Sequence, residues 1–368
     1  MGKSIFFVIN TLQGGGAERV LSTLALDFHR HKVPVTIICL NYAQSAYKLP
    51  DDLKVIYLVN RKDQSRIFRL YYAIIIFLKL TYLLYSKKPG CVISFMTTAN
   101  LWSGLSSMLT KTNFIVSERT TPEHTINKQN SLLKRCSEII YRHALAVVLP
   151  AKGIEDCLRK YKGFEDLTNC KIINNPVGHL GNLSGNRVNE RKFILGVGRL
   201  SYEKGFDQLI EAFANLNIRG IDLLIAGEGQ EYAALEQQIR KLKLNKNVKL
   251  IGSKENLQDY YDQAELFVLP SRNEGYPNAL IEAMSLGCPC VAMDCEFGPS
   301  EIIRHQKNGL LVQDNNIKDL TAAIYKILNN PILKNKLATN ARQINTTNSL
   351  KNISYQWQKL IFSPEISS

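Results

Sequence analysis

Two glutamates, Glu274 and Glu282, stand with seven residues between them in the run Glu274-Gly275-Tyr276-Pro277-Asn278-Ala279-Leu280-Ile281-Glu282. Ahead of them, Leu266 to Ser271 reads as a buried parallel strand followed by a turn. After Pro277, the apolar residues Ala279, Leu280, Ala283 and Met284 recur at helical spacing. This pattern predicts Glu274 in a strand-to-helix loop and Glu282 about two turns into the helix. The first amides of that helix, at Asn278, Ala279 and Leu280, precede its hydrogen-bond ladder and form a site for a phosphate. A loop carboxylate, a phosphate-binding helix start and a second carboxylate together suit a nucleotide-sugar. The loop Glu would hold sugar hydroxyls, the helix start the diphosphate, and the helical Glu a ribose diol. Glutamates at this spacing also occur on solvated helix faces, and spacing alone does not separate the two readings.

Other residues bear on the same chemistry. Arg199 directly follows the strand-like run Phe193–Val197, and Lys204 lies five residues on, at the start of a helix. Gly196-x-Gly198 beside them allows close backbone approach; without it, an Arg and a Lys would read as surface charge. Gly252, Ser253 and Lys254 follow the strand Val248–Ile251, where their backbone would meet a nucleotide base. Gly14, Gly15 and Gly16 join the first strand to the first helix and let the backbone approach a phosphate without a Cβ clash. A dinucleotide site is the competing reading of that loop. The G-x-G-x-x-G spacing is absent, and no acidic residue ends a second strand near position 40.

Taken in order, Gly14-Gly15-Gly16-Ala17-Glu18-Arg19, Ser117-Glu118-Arg119, Asn175-Pro176-Val177, Gly198-Arg199-Leu200, Lys204-Gly205, Gly227-Glu228-Gly229, the Glu274 to Glu282 run and Gly298-Pro299-Ser300-Glu301-Ile302-Ile303 span nearly the whole chain. The sequence thereby resembles the family 4 retaining glycosyltransferases of GT-B fold, and within them the bacterial enzymes that extend polyprenyl-diphosphate-linked glycans for capsule, O-antigen or protein glycosylation. The resemblance implies a UDP-sugar donor whose diphosphate is met by Arg199 and Lys204, in place of the metal that other transferases use. No cofactor is then expected. It implies Glu274 on the donor sugar, Glu282 on the ribose, and Gly15 and Gly16 facing donor phosphates and acceptor. It also implies front-face attack, with the leaving phosphate oxygen assisting deprotonation of the acceptor and no covalent nucleophile. Where many related enzymes carry histidine directly after the Glu that matches Glu118, this chain has Arg119. A transferred catalytic histidine is therefore in doubt. Glu118 and Arg119 are assigned instead to the acceptor, since a guanidinium matches diphosphate oxygens. His124, five residues along, either approaches the cleft or is merely solvated.

The surrounding elements must hold these residues. At 368 residues with 45% hydrophobic content, the chain fits two domains, each with its own core. Strand-like runs at Ile5–Ile9, Val35–Leu40, Cys91–Phe95, Asn113–Ser117 and Ala146–Pro150 alternate with helical segments. A second alternating set runs through Phe193–Gly198, Leu223–Gly227, Val248–Gly252, Leu266–Leu269 and Cys290–Met293. Alternation predicts an α/β chain of two doubly wound Rossmann-like domains facing across a cleft, with ligands at the carboxyl ends of the strands. The expected division is an acceptor-binding, membrane-associated domain over 1–178, a linker over 179–190, a nucleotide-sugar domain over 191–347 and a C-terminal helix over 348–368. That last helix should pack back on the first domain.

Eight cysteines are scattered without a C-x-x-C pair and read as reduced core residues, and six histidines lack ligand spacing, so no metal site is expected. The chain opens on a strand too short for a signal-peptide core, which predicts a cytoplasmic location. The formal net charge is +14; residues 1–175 hold 24 Lys/Arg against 12 Asp/Glu, and the remainder 22 against 20. A basic half implies a polyanionic partner, either nucleic acid or anionic lipid. No helix-turn-helix or aromatic RNA-binding signature accompanies it, which favours lipid.

From Ile67 to Tyr85, sixteen of nineteen residues are apolar or aromatic, with Arg61, Lys62, Arg66, Lys87 and Lys88 on the flanks. A transmembrane helix is long enough here. Spanning would, however, put the Gly14–Gly16 and Glu118 loops of one sheet on opposite sides of the bilayer. A helix lying in the interface, with tyrosines at headgroup depth, is preferred over that and over a buried core helix. The expected place is peripheral, on the inner face of a bacterial plasma membrane. Three functions remain in view: transfer of a hexose or N-acetylhexosamine to a lipid-linked glycan, epimerisation of a UDP-sugar on the same architecture, and a basic non-catalytic adaptor. The Glu274/Glu282 and Arg199/Lys204 sets favour transfer, and the apolar Ile67–Tyr85 segment has no purpose in a soluble epimerase.

Overall fold

Runs of consecutive Val, Ile, Leu and Phe become interior strands because a parallel sheet covered on both faces has no solvent side for polar alternation. In the computed structural model, which describes residues 4–61, 66–178 and 180–362, the chain divides into two compact units, Met1–Gly178 with Leu350–Ser368, and His179–Ser349. Lys62 and His179, and the side chains of Arg66, Ile67, Arg69 and His124, lie outside the described residues.

The first unit holds β1 (Ile5–Ile9), β2 (Val35–Asn41), β3 (Lys54–Val59), β4 (Cys91–Phe95), β5 (Phe114–Ser117), β6 (Ala146–Leu149) and β7 (Cys170–Ile172). They form one parallel sheet in the order β3-β2-β1-β4-β5-β6-β7, with Phe7 paired to Ile37 on one side and Ile93 on the other. Strands β1, β4, β5 and β6 are buried at every residue. The two edge strands β3 and β7 are absent from the sequence reading. Both carry exposed residues and so lack the continuous apolar run that marks the interior ones. The C-terminal helix Leu350–Ile361 completes this unit, burying Ile353, Trp357 and Ile361. Trp357 stacks on Phe95 with ring centroids 5.8 Å apart, and Ser354 Oγ donates to Asp27 of the first helix, Gly16–Arg30.

The second unit holds β8 (Lys192–Val197), β9 (Ile221–Ala226), β10 (Val248–Gly252), β11 (Leu266–Leu269), β12 (Cys290–Asp294) and β13 (Leu310–Gln313), all parallel, in the order β10-β9-β8-β11-β12-β13. Residues 180–190 carry no helix or strand and lie on this unit. Ser184 N donates to Asp259 at 2.8 Å, Val188 N to Gln263 at 3.1 Å, and Gln258 to the Asn182 carbonyl at 3.2 Å. In each sheet the strand order reverses once, between β1 and β4 and between β8 and β11. Loops leaving these strand pairs diverge from a common crevice, the place where such sheets bind ligands.

The helix Arg66–Lys87 is long and apolar enough to cross a membrane by length and composition, yet only 17% of residues 70–87 are buried within the protein. Its inner face buries Ile76, Leu80 and Leu84, four residues apart. Thr81 Oγ1 donates to Ser106 at 3.0 Å, and Phe77 meets Trp102 at 6.3 Å, both on the helix Thr97–Thr110. Its outer face exposes Leu70, Tyr71, Ile74, Leu78, Tyr82 and Tyr85.

Candidate functional site

The β8/β11 reversal builds the site of the second unit. After β8 the chain runs Gly198-Arg199-Leu200-Ser201, makes a tight turn over Tyr202–Lys204, and enters the helix Phe206–Leu216 through Gly205. Gly205 sits at φ +63°, and a Cβ there would lie 2.0 Å from the Pro270 carbonyl oxygen, so only glycine lets this turn close on the β11 loop. That closure brings Lys204 Nζ to 2.6 Å from Glu274 Oε1, while Ser271 Oγ donates to the same oxygen at 2.7 Å. Glu274 is buried and Lys204 keeps part of its side chain in solvent. Arg199, one turn earlier, is exposed and forms no ion pair among the described residues.

The neighbouring loops press on this one. Gly227, at φ +144° after β9, leaves no room for a Cβ, which would fall 1.9 Å from the Gly198 carbonyl oxygen. Its N–H donates to the Gly252 carbonyl at 2.9 Å, linking the ends of β9 and β10. Beyond Gly252, Ser253 is exposed and Lys254 half-buried. The helix after the β11 loop spans Asn278–Ser285, and its first internal amide bond is Ile281 N to the Pro277 carbonyl at 3.3 Å. The amides of Asn278, Ala279 and Leu280 thus precede its ladder, with Asn278 and Ala279 half-buried and Leu280 buried. Because the helix begins at Asn278, Glu282 lies just over one turn in rather than two. Glu282 is buried, and its Oε2 accepts from Tyr261 Oη at 3.2 Å.

In the first unit, Gly14–Gly16 follow β1 at its reversal with β4, and Tyr47 Oη donates to the Gly15 carbonyl at 3.0 Å. Glu118, at the end of β5, is fully buried. Thr97 Oγ1 donates to its Oε2 at 3.0 Å, Asn100 Nδ2 to its Oε1 at 2.9 Å, and Tyr141 Oη to the same Oε1. Burial pushes the Glu118 carboxyl up to about 7, against the pull of these donors and of Arg119. Arg119 Nη1 donates to Asn175 Oδ1 at 2.7 Å, and the guanidinium lies 5.0 Å from the Phe95 ring and 5.7 Å from that of Trp357. Burial holds Arg119 below its ordinary value. Its Nε and Nη2 are buried without a hydrogen-bond partner among the described residues.

Several residues of this chemistry were not legible beforehand. Ser271 and Arg272 precede the Glu274 to Glu282 motif, and Thr97, Asn100 and Tyr141 come from segments distant in sequence from Glu118. Met96, at φ +77° directly after β4, gave no signal at all, because it is an ordinary residue in a conformation that favours glycine.

Comparison with known proteins agrees with this architecture. Residues 14–178 match the family model described as Glycosyltransferase Family 4, and residues 184–344 that described as Glycosyl transferases group 1. The chain is 30% identical over 354 residues to an N-acetylgalactosamine-N,N'-diacetylbacillosaminyl-diphospho-undecaprenol 4-alpha-N-acetylgalactosaminyltransferase of Campylobacter jejuni, covering 91% of this chain and 93% of that protein. It is 27% identical to an amylovoran biosynthesis glycosyltransferase of Erwinia amylovora, over 98% of this chain and all of that protein. Among solved structures, the Anabaena protein HepE in complex with UDP-glucose superposes with a TM-score of 0.80 at 19% identity, covering 98% of this chain and 100% of that one. The two parallel-sheet Rossmann-like units have the GT-B fold, and the two family models together with the C. jejuni relative show that the chain belongs to glycosyltransferase family 4.

Proposed function

We propose that this enzyme moves a hexose or N-acetylhexosamine from a UDP-sugar to a polyprenyl-diphosphate-linked glycan, with retention of configuration and without a metal ion. The observation that carries the reading is the Lys204–Glu274 pair, with Lys204 five residues after the exposed Arg199, at the strand-order reversal of the second unit. An ammonium has three donors and no acceptor, so Lys204 can hold Glu274 with one and reach a diphosphate oxygen with the others. Arg199 adds a second cation from an exposed position. Preorganised charge of this kind stabilises a departing diphosphate in the transition state. Glu274, oriented by Ser271 and Lys204, accepts from the donor sugar's hydroxyls.

In the transfer itself, the bond from the sugar's anomeric carbon to the UDP oxygen breaks and its electron pair leaves with UDP. The acceptor hydroxyl bonds to the anomeric carbon on the same face, and its proton passes to the departing phosphate oxygen. In the first unit, Arg119 retains two buried N–H positions that an acceptor diphosphate oxygen would satisfy. The C. jejuni relative is named for a diphospho-undecaprenol-linked acceptor, and HepE was solved with UDP-glucose; both support the substrate classes.

The lipid acceptor calls for contact with a bilayer, and the exposed stripe Leu70, Tyr71, Ile74, Leu78, Tyr82 and Tyr85 supplies an apolar face with Lys87 and Lys88 at its end. Peripheral attachment on the inner face of a bacterial plasma membrane is favoured over spanning. The opposite face of that helix is already packed on Thr97–Thr110. The test is transfer from UDP-glucose, UDP-galactose, UDP-N-acetylglucosamine and UDP-N-acetylgalactosamine to synthetic polyprenyl-diphosphate oligosaccharides, with and without EDTA, and with the product's anomeric configuration read by NMR. Inversion, loss of turnover with EDTA that manganese restores, or interconversion of UDP-sugars without transfer would each defeat the reading.

A further inference from the structure

The two loops that carry Lys204 and Glu274 are tied together by a side chain that no sequence motif marks. Arg272 lies two residues before Glu274. Its backbone N–H donates to the Glu203 carbonyl at 2.8 Å, and its Nη1 donates to the Tyr202 carbonyl at 2.8 Å. The same guanidinium grips Asp207 with both nitrogens, Nη1 to Oδ1 at 2.8 Å and Nη2 to Oδ2 at 2.6 Å, and lies 4.2 Å from the Tyr202 ring centroid. Tyr202 and Glu203 immediately precede Lys204, and Asp207 is the second residue of the helix that follows it. Every one of these contacts therefore reaches across from the β11 loop to the short segment holding Lys204.

Asp207 is 44% exposed at its side chain, so as an ion pair the contact adds little to stability. Its value is geometric. A planar fork that meets a carboxylate bidentately and a carbonyl at once fixes distance and angle together, which a single ammonium does not do. Gly205 against Pro270 fixes the residue after Lys204, and Arg272 holds the segment on both sides of Lys204.

We propose that Arg272, through Asp207 and the Tyr202 carbonyl, is a positioning residue that holds Lys204 against Glu274 for donor cleavage. This rests on the donor-site reading given above. It touches neither donor nor acceptor and acts by keeping two loops in register.

The experiment compares the full-length enzyme with Arg272→Ala, Arg272→Lys, Asp207→Asn, Lys204→Ala and the double variant Arg272→Ala/Lys204→Ala. Release of UDP is followed from whichever of UDP-glucose, UDP-galactose, UDP-N-acetylglucosamine and UDP-N-acetylgalactosamine the unaltered enzyme cleaves fastest. Acetylation of Lys204 by acetic anhydride, read by peptide mass spectrometry, reports the pair without reference to activity. Misplacing a reacting group by about 1 Å can slow turnover by about 100-fold, so Arg272→Ala should lower kcat by roughly 10- to 100-fold with KM changed by only about threefold. Arg272→Lys should restore little of it, and Asp207→Asn should share the defect. Because Arg272 acts through Lys204, the double variant should be no slower than Lys204→Ala alone, within about twofold. Lys204 should acetylate several-fold faster in both Arg272 variants. Additive losses in the double variant, full rescue by lysine, or unchanged Lys204 labelling would overturn the proposal. Should Arg272→Ala fail to fold, Arg272→Lys and Asp207→Asn carry the same comparison. If Lys204→Ala retained full turnover, the donor-site reading would fall, and the labelling rates alone would decide whether Arg272 holds the pair.

Discussion

The loops of the two units handle their charged residues in opposite ways. In the second unit, Arg199 stands exposed and Lys204 keeps one side in solvent while holding a buried Glu274. In the first, the Glu118 carboxylate is enclosed by donors from Thr97, Asn100 and Tyr141, and the Arg119 guanidinium lies over the stacked Phe95 and Trp357 rings. Both pairs come from motifs at the carboxyl ends of parallel strands. A motif therefore says where charged residues are placed, but not how far their hydrogen-bonding capacity is already taken up within the protein. Glu118, with three donors already on its oxygens, ties β5 to two helices of its own unit.

The largest effects should fall on the open pair. Arg199→Ala and Lys204→Ala should each slow transfer by at least about 100-fold, since removing a preorganised charge contact costs about 3–4 kcal/mol at the transition state. Melting temperatures should stay near that of the unaltered enzyme, because neither side chain is part of a core. A variant with near-normal turnover would remove that residue from the mechanism and erase the contrast between the units. Glu274→Gln should likewise lose most transfer while UDP binding, measured by calorimetry, persists.

The closed network should show itself in stability. With the Glu118 carboxyl raised from 4.5 to about 7, the unfolded chain loses this proton first, while the folded chain keeps it. Its stabilising contribution is thus full below pH 4.5 and disappears as pH rises through about 7. The span corresponds to about 3 kcal/mol at most, at 1.36 kcal/mol per pH unit. Denaturant unfolding of Glu118→Gln should lack this slope between pH 4.5 and 7.5, while transfer by the variant should fall far less than with Lys204→Ala. A flat profile in the unaltered enzyme would mean the network is wetter than its burial indicates.

A smaller effect concerns what the first unit does expose. Ile74→Ser with Leu78→Ser removes two outward side chains without touching Ile76, Leu80 or Leu84, so folding should survive. Binding to anionic liposomes should drop about tenfold or more, given roughly 1.5–3 kcal/mol for each buried Leu or Ile. Transfer to a water-soluble acceptor should be unchanged, and transfer to a long polyprenyl acceptor should fall. Unaltered sedimentation with liposomes would detach this helix from the membrane. Least of all, raising salt to about 1 M should weaken binding of the unaltered enzyme only partly, because the Debye length shrinks to about 3 Å while the apolar contact is unscreened.

The amino-acid sequence alone determined the two parallel α/β sheets, because their central strands need unbroken apolar runs that no other element of this length shows. It determined that charged motifs would fall at strand ends, since β1, β5, β8 and β11 are each followed within a few residues by Gly, Glu or Arg. It also marked Ile67–Tyr85 as unusually apolar. The edge strands β3, β7 and β13 escaped, because half-exposed pairing leaves mixed sequences. Only the tertiary structure decided that Lys204 meets Glu274 while Glu282 turns to Tyr261, that Tyr141 reaches Glu118, and that Arg272 grips Asp207. Those partners are 70, 21, 23 and 65 residues apart in sequence. Local pattern carries no information on such pairs: Lys204–Glu274 and Arg272–Asp207 form because strand order, read from neither strand alone, sets β8 beside β11 and brings their loops within reach of a single side chain.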